Sequence, residues 1–186
     1  MVGRPRSIDR DKVLDAAEAI VTKSGAGALS FEAVAKEAGI TKSGVQYCFG
    51  TRDNLIHSMI ERWERAFTDD IADRISGDTS PRSVIRAHVE ATRDADDAAY
   101  SRSAVMMTAV LQHPDQVAAT RHFYNSRFAQ LDLSDPTDRE AALALLAGEG
   151  AFFLRSFGLV DLDNEQWDLL FSGMLARVRD GETGAQ

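Results

Sequence analysis

The residues best equipped for chemistry lie between Ser30 and Gly50, which read SFEAVAKEAGITKSGVQYCFG. Thr41, Lys42, Ser43 and Gly44 bring two hydroxyls, a cation and free backbone N–H groups to the start of a short helix, a set suited to gripping phosphate and reaching base edges. Gln46 and Tyr47 follow on the same helix. Before them stands Arg4-Pro5-Arg6, and after them Thr51-Arg52 opens another helix, where an arginine and a helix N-terminus can hold one phosphate together. Nothing comparable supports catalysis: the chain has no nucleophile elbow, no Gly-rich phosphate loop and no HExxH spacing. His57, His88, His113 and His122 lack the i,i+4 pairing of a helical zinc site. No enzyme, metal or cofactor is expected.

To present such a set, the chain must place two short helices at a steep angle. That crossing needs a small side chain at the contact, here Ala35, and a turn residue that accepts a left-handed backbone, here Gly39. Val34, Ala38, Ile40 and Val45 supply the apolar contacts. An ordinary helical hairpin with solvated polar residues is the competing reading. Cys48 faces the core of this unit and reads as a small buried hydrophobe rather than a redox switch.

Apolar residues recur at helical spacing along the rest of the chain, and no run alternates with period two. The expected fold is all-α with about nine helices. Val13, Ala17, Ile20 and Val21 form the first stripe, ended at Gly25 and Gly27. Phe31 to Ala38 form the second helix and 42–48 the third. A long fourth helix from Thr51 to near Gly77 carries Ile56, Met59, Ile60, Trp63, Phe67, Ile71 and Ile75 on one face. Pro81 and Pro114 open later helices, another covers about 98–112, a small-residue helix spans 137–158, and Asp163 caps the last.

Of 186 residues, 44% are hydrophobic and 27% charged, which excludes collagen-like and mostly disordered chains. The net charge of −8 is unevenly placed: residues 1–52 hold eight Lys/Arg against six Asp/Glu, and 53–186 hold thirteen against twenty-three. A mildly basic head on an acidic body is expected if only the head meets a polyanion. No stretch approaches the roughly 18 apolar residues of a membrane span, the N-terminus leads into charged residues, and one cysteine suits a reducing compartment. The expected location is the cytoplasm, with no membrane partner.

The chain resembles the TetR family of bacterial transcriptional regulators. The likeness is carried by Val13-Leu14-Asp15-Ala16-Ala17, Gly25, Ser30 to Ile40, and Phe49-Gly50-Thr51-Arg52-Asp53-Asn54-Leu55. Where the family usually has Leu-Tyr-x-His-Phe, this chain reads Val45-Gln46-Tyr47-Cys48-Phe49, so the phosphate role carries over at Tyr47 alone. Gln46 is left with a choice between pairing to adenine and touching the backbone.

The resemblance implies a DNA-binding head over 1–52, an effector-binding and dimerisation body over 53–180, and a disordered tail over 181–186. The implied DNA contacts are Arg4, Arg6, Ser30, Thr41, Lys42, Ser43, Gly44, Gln46, Tyr47, Thr51 and Arg52, on a palindromic double-stranded operator. For a small, largely apolar effector the expected pocket is Trp63, Phe67, Met107, Tyr124, Glu149 and Phe153, with Glu149 also able to pair with Arg93 or Arg155. A homodimer is expected through Ala147, Gly150, Ala151, Leu154, Trp167, Phe171 and Met174, unless those faces pack within one subunit. The functional expectation is a repressor released by its effector. The other readings are an activator or ligand-independent regulator of the same fold, or a helical ligand-binding protein or enzyme that never touches DNA.

Overall fold

The computed structural model describes residues 8–75, 77–111 and 113–178. The expected arm with Arg4 and Arg6, and the expected tail at 181–186, lie outside the described residues. Nine α-helices and no strand occur among the described residues: α1 (Arg10–Ser24), α2 (Phe31–Ala38), α3 (Lys42–Phe49), α4 (Arg52–Arg74), α5 (Pro81–Arg93), α6 (Asp97–Val110), α7 (Pro114–Phe128), α8 (Pro136–Ser156) and α9 (Asn164–Leu175). None is long and apolar enough to cross a membrane.

Local chemistry sets the boundaries. Side chains of Asp9, Ser30, Thr41, Thr51, Ser80, Asp135 and Asp163 accept hydrogen bonds from first-turn N–H groups that lack a partner within the helix. Asp163 and Gln166 cap each other's backbone reciprocally at α9. Gly39 closes α2 at φ 66°, a left-handed conformation that costs a residue with a Cβ, and the Ile40 N–H returns to Ala35 O at 3.0 Å.

Two main apolar clusters hold the molecule together. The first gathers Val13, Leu14 and Ala17 of α1 with Val34, Val45 and Phe49, and continues along α4 through Leu55, Ile56, Met59 and Ile60. Met106 of α6 completes it, with Val110 packed alongside. The head's core thus extends past residue 52, the division expected from sequence. The second cluster joins Ile85 and Val89 of α5 to Ala141, Ala144, Leu145 and Ala151 of α8 and Trp167 and Phe171 of α9. The small residues of α8 admit α5: a Cβ on Gly148 would lie 3.6 Å from Val89. A smaller group, with Ile71, Ala87 and Ala91 at its centre and Phe67, Ile75 and Phe123 against it, seats the far end of α4 in the body.

Candidate functional site

The third helix is packed on one face and, among the described residues, exposed on the other. Val45 and Phe49 are buried, and Gly44 is buried too, so closely under Ile8 that a Cβ would come 2.9 Å from Ile8 Cδ1. Arg10 lies 4.6 Å over the Phe49 ring and donates to Ser58 Oγ at 2.9 Å. Asn54 Nδ2 donates to Phe49 O at 3.0 Å. Ser43, Gln46 and Tyr47, at i, i+3 and i+4, share the exposed face, with Tyr47 87% exposed. Gly44, expected from sequence among the DNA contacts, therefore lies on the packing side of the helix, where a Cβ would force the Ile8 side chain to shift.

Other candidate contacts are already engaged. Ser30 Oγ, Thr41 Oγ1 and Thr51 Oγ1 accept from the N–H groups of Ala33, Gly44 and Asn54 at 3.2, 3.1 and 3.1 Å. A hydroxyl that accepts a cap bond keeps its own hydrogen, so each can still donate to a phosphate. Lys42 is exposed and paired with Glu32, whose carboxyl it holds below the usual range. Arg52 Nε donates to Leu29 O at 2.9 Å, which orients its guanidinium at the start of α4. Cys48 is half-buried against the head's core.

The head is clamped to the body by a residue that sequence reading passed over. Arg62 of α4 reaches Asp15 at 2.8 Å, Glu18 at 2.9 Å and Asp11 O at 3.3 Å, all on α1. Its only signal in the sequence is its place beside Trp63 at the edge of the α4 stripe. A cleft of about 110 Å³ opens next to this clamp, lined by Glu18, Arg62, Trp63, Ala66, Arg102 and Met106.

That cleft shares only Trp63 with the expected pocket. Phe67 meets His88 edge-on, with ring centroids 5.0 Å apart. Tyr124 OH donates to Glu149 Oε2 at 2.8 Å, and His88 Nε2 lies 2.6 Å from Glu149 Oε1. Glu149 is thus paired with a histidine and a tyrosine rather than with Arg93 or Arg155. Arg93 turns to Asp94, and Arg155 donates to Asn164 and lies over the Tyr100 and Trp167 rings. Met107 is half-buried on α6. Phe153 is 42% exposed and pairs with Phe157, so it faces outward on α8 rather than toward a cavity.

The expected dimer set divides in the same way. Ala147 and Gly150 are exposed and Leu154 and Met174 half-buried, while Ala151, Trp167 and Phe171 are buried. The last three serve the chain's own core, because α5 and α8 use them to close the body. The apolar residues facing outward on α8 and α9 are instead Leu143, Leu146, Phe153, Leu169 and Leu170, with Phe157 just past the end of α8.

An all-α body carrying a helix-turn-helix whose second helix shows an exposed polar face has the architecture of a DNA-binding regulator. The model for bacterial regulatory proteins of the tetR family matches residues 13–59, and that for the tetracyclin repressor-like C-terminal domain matches 82–179. The chain belongs to the TetR family of bacterial transcriptional regulators, which are DNA-binding proteins and not enzymes. Its fold is similar to that of a TetR-like transcriptional regulator from Rhodococcus sp. RHA1 (18% identity, 95% of this chain and 96% of that one, TM-score 0.66). It is also similar to the fatty acid degradation regulator FadR from Bacillus halodurans (13%, 98% and 100%, 0.67). A third similar fold is the multidrug binding protein EbrR complexed with ethidium (19%, 92% and 99%, 0.63). No curated protein matches the chain in sequence.

Proposed function

We propose that this regulator is a homodimeric repressor, binding a palindromic operator through Ser43, Gln46 and Tyr47 with Lys42, Thr51 and Arg52 on phosphates, and released by a small, largely apolar effector. The observation that carries this reading is the course of α4. Its first half is part of the head's core, and its second half is seated in the body by Phe67 and Ile71. A ligand that favours a shifted α4 therefore moves the recognition helix.

Two such helices enter successive major grooves only when about 34–36 Å apart, so release needs a change of spacing and no unfolding. The outward apolar face of α8 and α9 supports a second copy as the partner that sets this spacing. EbrR, whose solved complexes hold imidazole, ethidium and malachite green, supports a small-molecule ligand for a body of this shape.

The test starts from duplexes selected by the protein out of random-sequence DNA. The proposal expects a two-fold symmetric consensus, a complex of two chains per duplex, and compounds that raise the melting temperature while lowering duplex affinity. An asymmetric site bound by a single chain counts against the dimer, and tight ligands that leave duplex affinity unchanged count against effector release.

A further inference from the structure

The cleft at the junction of α1, α4 and α6 has an apolar wall and a charged side on which the two arginines are unequally paired. Trp63 and Met106 supply the wall. On the charged side, Arg62 is fully used: its Nε and Nη2 both reach Glu18 at 2.9 Å, and Nη1 reaches Asp15 at 2.8 Å. Glu18 is equally occupied, with both oxygens on Arg62. Arg102 is different. It is half-buried and, among the described residues, has neither a carboxylate nor a hydrogen-bond partner.

A guanidinium partly removed from water calls for a planar anion that takes two parallel N–H donors, and a carboxylate has that geometry. The space limits the rest of the ligand. A closed apolar cavity of roughly 150 Å³ holds benzene, so a cleft of about 110 Å³ open to solvent takes one ring or its equivalent. A tryptophan and a methionine at the wall suit a flat, polarizable surface.

We propose that this cleft binds a small planar carboxylate, of the size of a one-ring arenecarboxylate, with the carboxylate on Arg102 and the ring against Trp63 and Met106. The site is built partly from the head. Glu18 belongs to α1, and Met106 is 3% exposed within the head's own core. Occupancy is therefore coupled to the head's position, and linkage makes the coupling reciprocal: DNA and the carboxylate must change each other's affinity by one common factor. This regulatory consequence rests on the effector-controlled reading above, whereas the binding site does not.

The experiment uses the full chain carrying Trp167→Phe, which leaves Trp63 as the sole indole of the two in the sequence. Benzoate, benzyl alcohol and benzylamine serve as anionic, neutral and cationic probes, followed by Trp63 fluorescence and by melting temperature. Benzoate is expected to bind at least tenfold more tightly than the other two. Arg102→Met should remove that preference without changing the ligand-free melting temperature by more than a few degrees, and Arg102→Lys should keep part of it. Equal affinity for the three probes, no response of Trp63, or a preference that survives Arg102→Met overturns the proposal.

Repeating the titration on a selected duplex separates the two claims. A tenfold preference on the free protein establishes the site whether or not DNA binding is ever detected. If the duplex leaves benzoate affinity unchanged, the proposed coupling is overturned.

Discussion

His88 Nε2 and Glu149 Oε1 stand 2.6 Å apart and join α5 to α8 inside the body. Tyr124 of α7 places its hydroxyl on the other oxygen of the same carboxylate, and burial together with Glu149 pushes that phenol above its ordinary range. One carboxylate thus satisfies groups from two other helices. Glu149→Ala strips both of their acceptor and is expected to cost about 2–4 kcal/mol, against about 1 kcal/mol for Tyr124→Phe, which loses one bond and leaves the carboxylate with His88. Urea unfolding of the two variants checks the order, and equal costs would show that Glu149 is dispensable to His88.

The pairing of Lys42 with Glu32 places a carboxylate beside the cation proposed to meet phosphate. Glu32→Gln should tighten duplex binding at low salt, because it removes a repulsive charge and frees the lysine. Lys42→Ala should weaken all sequences about equally and lower the slope of log affinity against log salt by about one. Gln46→Ala, by contrast, is expected to relax one operator position by about 1–3 kcal/mol if its amide reads a base. Anisotropy titrations over a salt series, with single-base variants of the selected duplex, distinguish the three.

The outward apolar residues of α8 and α9 give the dimer a sharper test than the buried ones. Leu146→Glu or Leu169→Glu should yield folded monomers, since both side chains are more than half exposed in a single chain. Phe171→Glu, at 1% exposure, should instead unfold the body. Sedimentation of the two leucine variants as intact dimers would move the contact elsewhere.

Asp94 ties the end of α5 to the end of α4. Its carboxyl is held below the usual range, chiefly by the hydrogen bond from Arg93 and then by that from Arg74, which lies 2.7 Å away. The unfolded chain therefore binds this proton at a higher pH than the folded one. The stabilisation is fully present above the ordinary carboxylate range and is lost as pH falls through the lowered native value. Allowing for solvent screening at a partly exposed pair, Asp94→Asn should cost about 0.5–1 kcal/mol at pH 7, and the difference from the parent should shrink below about pH 4. Unfolding curves at both pH values measure it.

Helix positions were legible because their signals are local. Pro81 and Pro114 start helices, Gly39 ends one, and Thr51 and Asp163 cap the helices that follow them. The outer face of α3 was readable for the same reason, its spacing alone separating Gln46 and Tyr47 from Val45 and Phe49. Partnerships between distant segments were not readable. Glu149 met His88, 61 residues away, rather than an arginine, because helix packing decides which of several polar groups arrives first. Small residues at Ala144 and Gly148 announced a close helix neighbour without saying whose, and α5 of the same chain takes that place.

The presence of Met106 and Val110 in the head's core bears on how such regulators are recombined. A chimera joined at residue 52 would graft a foreign body onto a head missing part of its own filling, leaving a hole where α6 should be. Such a fusion could lose operator affinity through instability alone, with every DNA-contacting side chain intact. Moving the junction past Ile60 and carrying these two side chains across with the head, in whatever helix occupies the place of α6, would keep the head's core whole and make the two halves exchangeable parts.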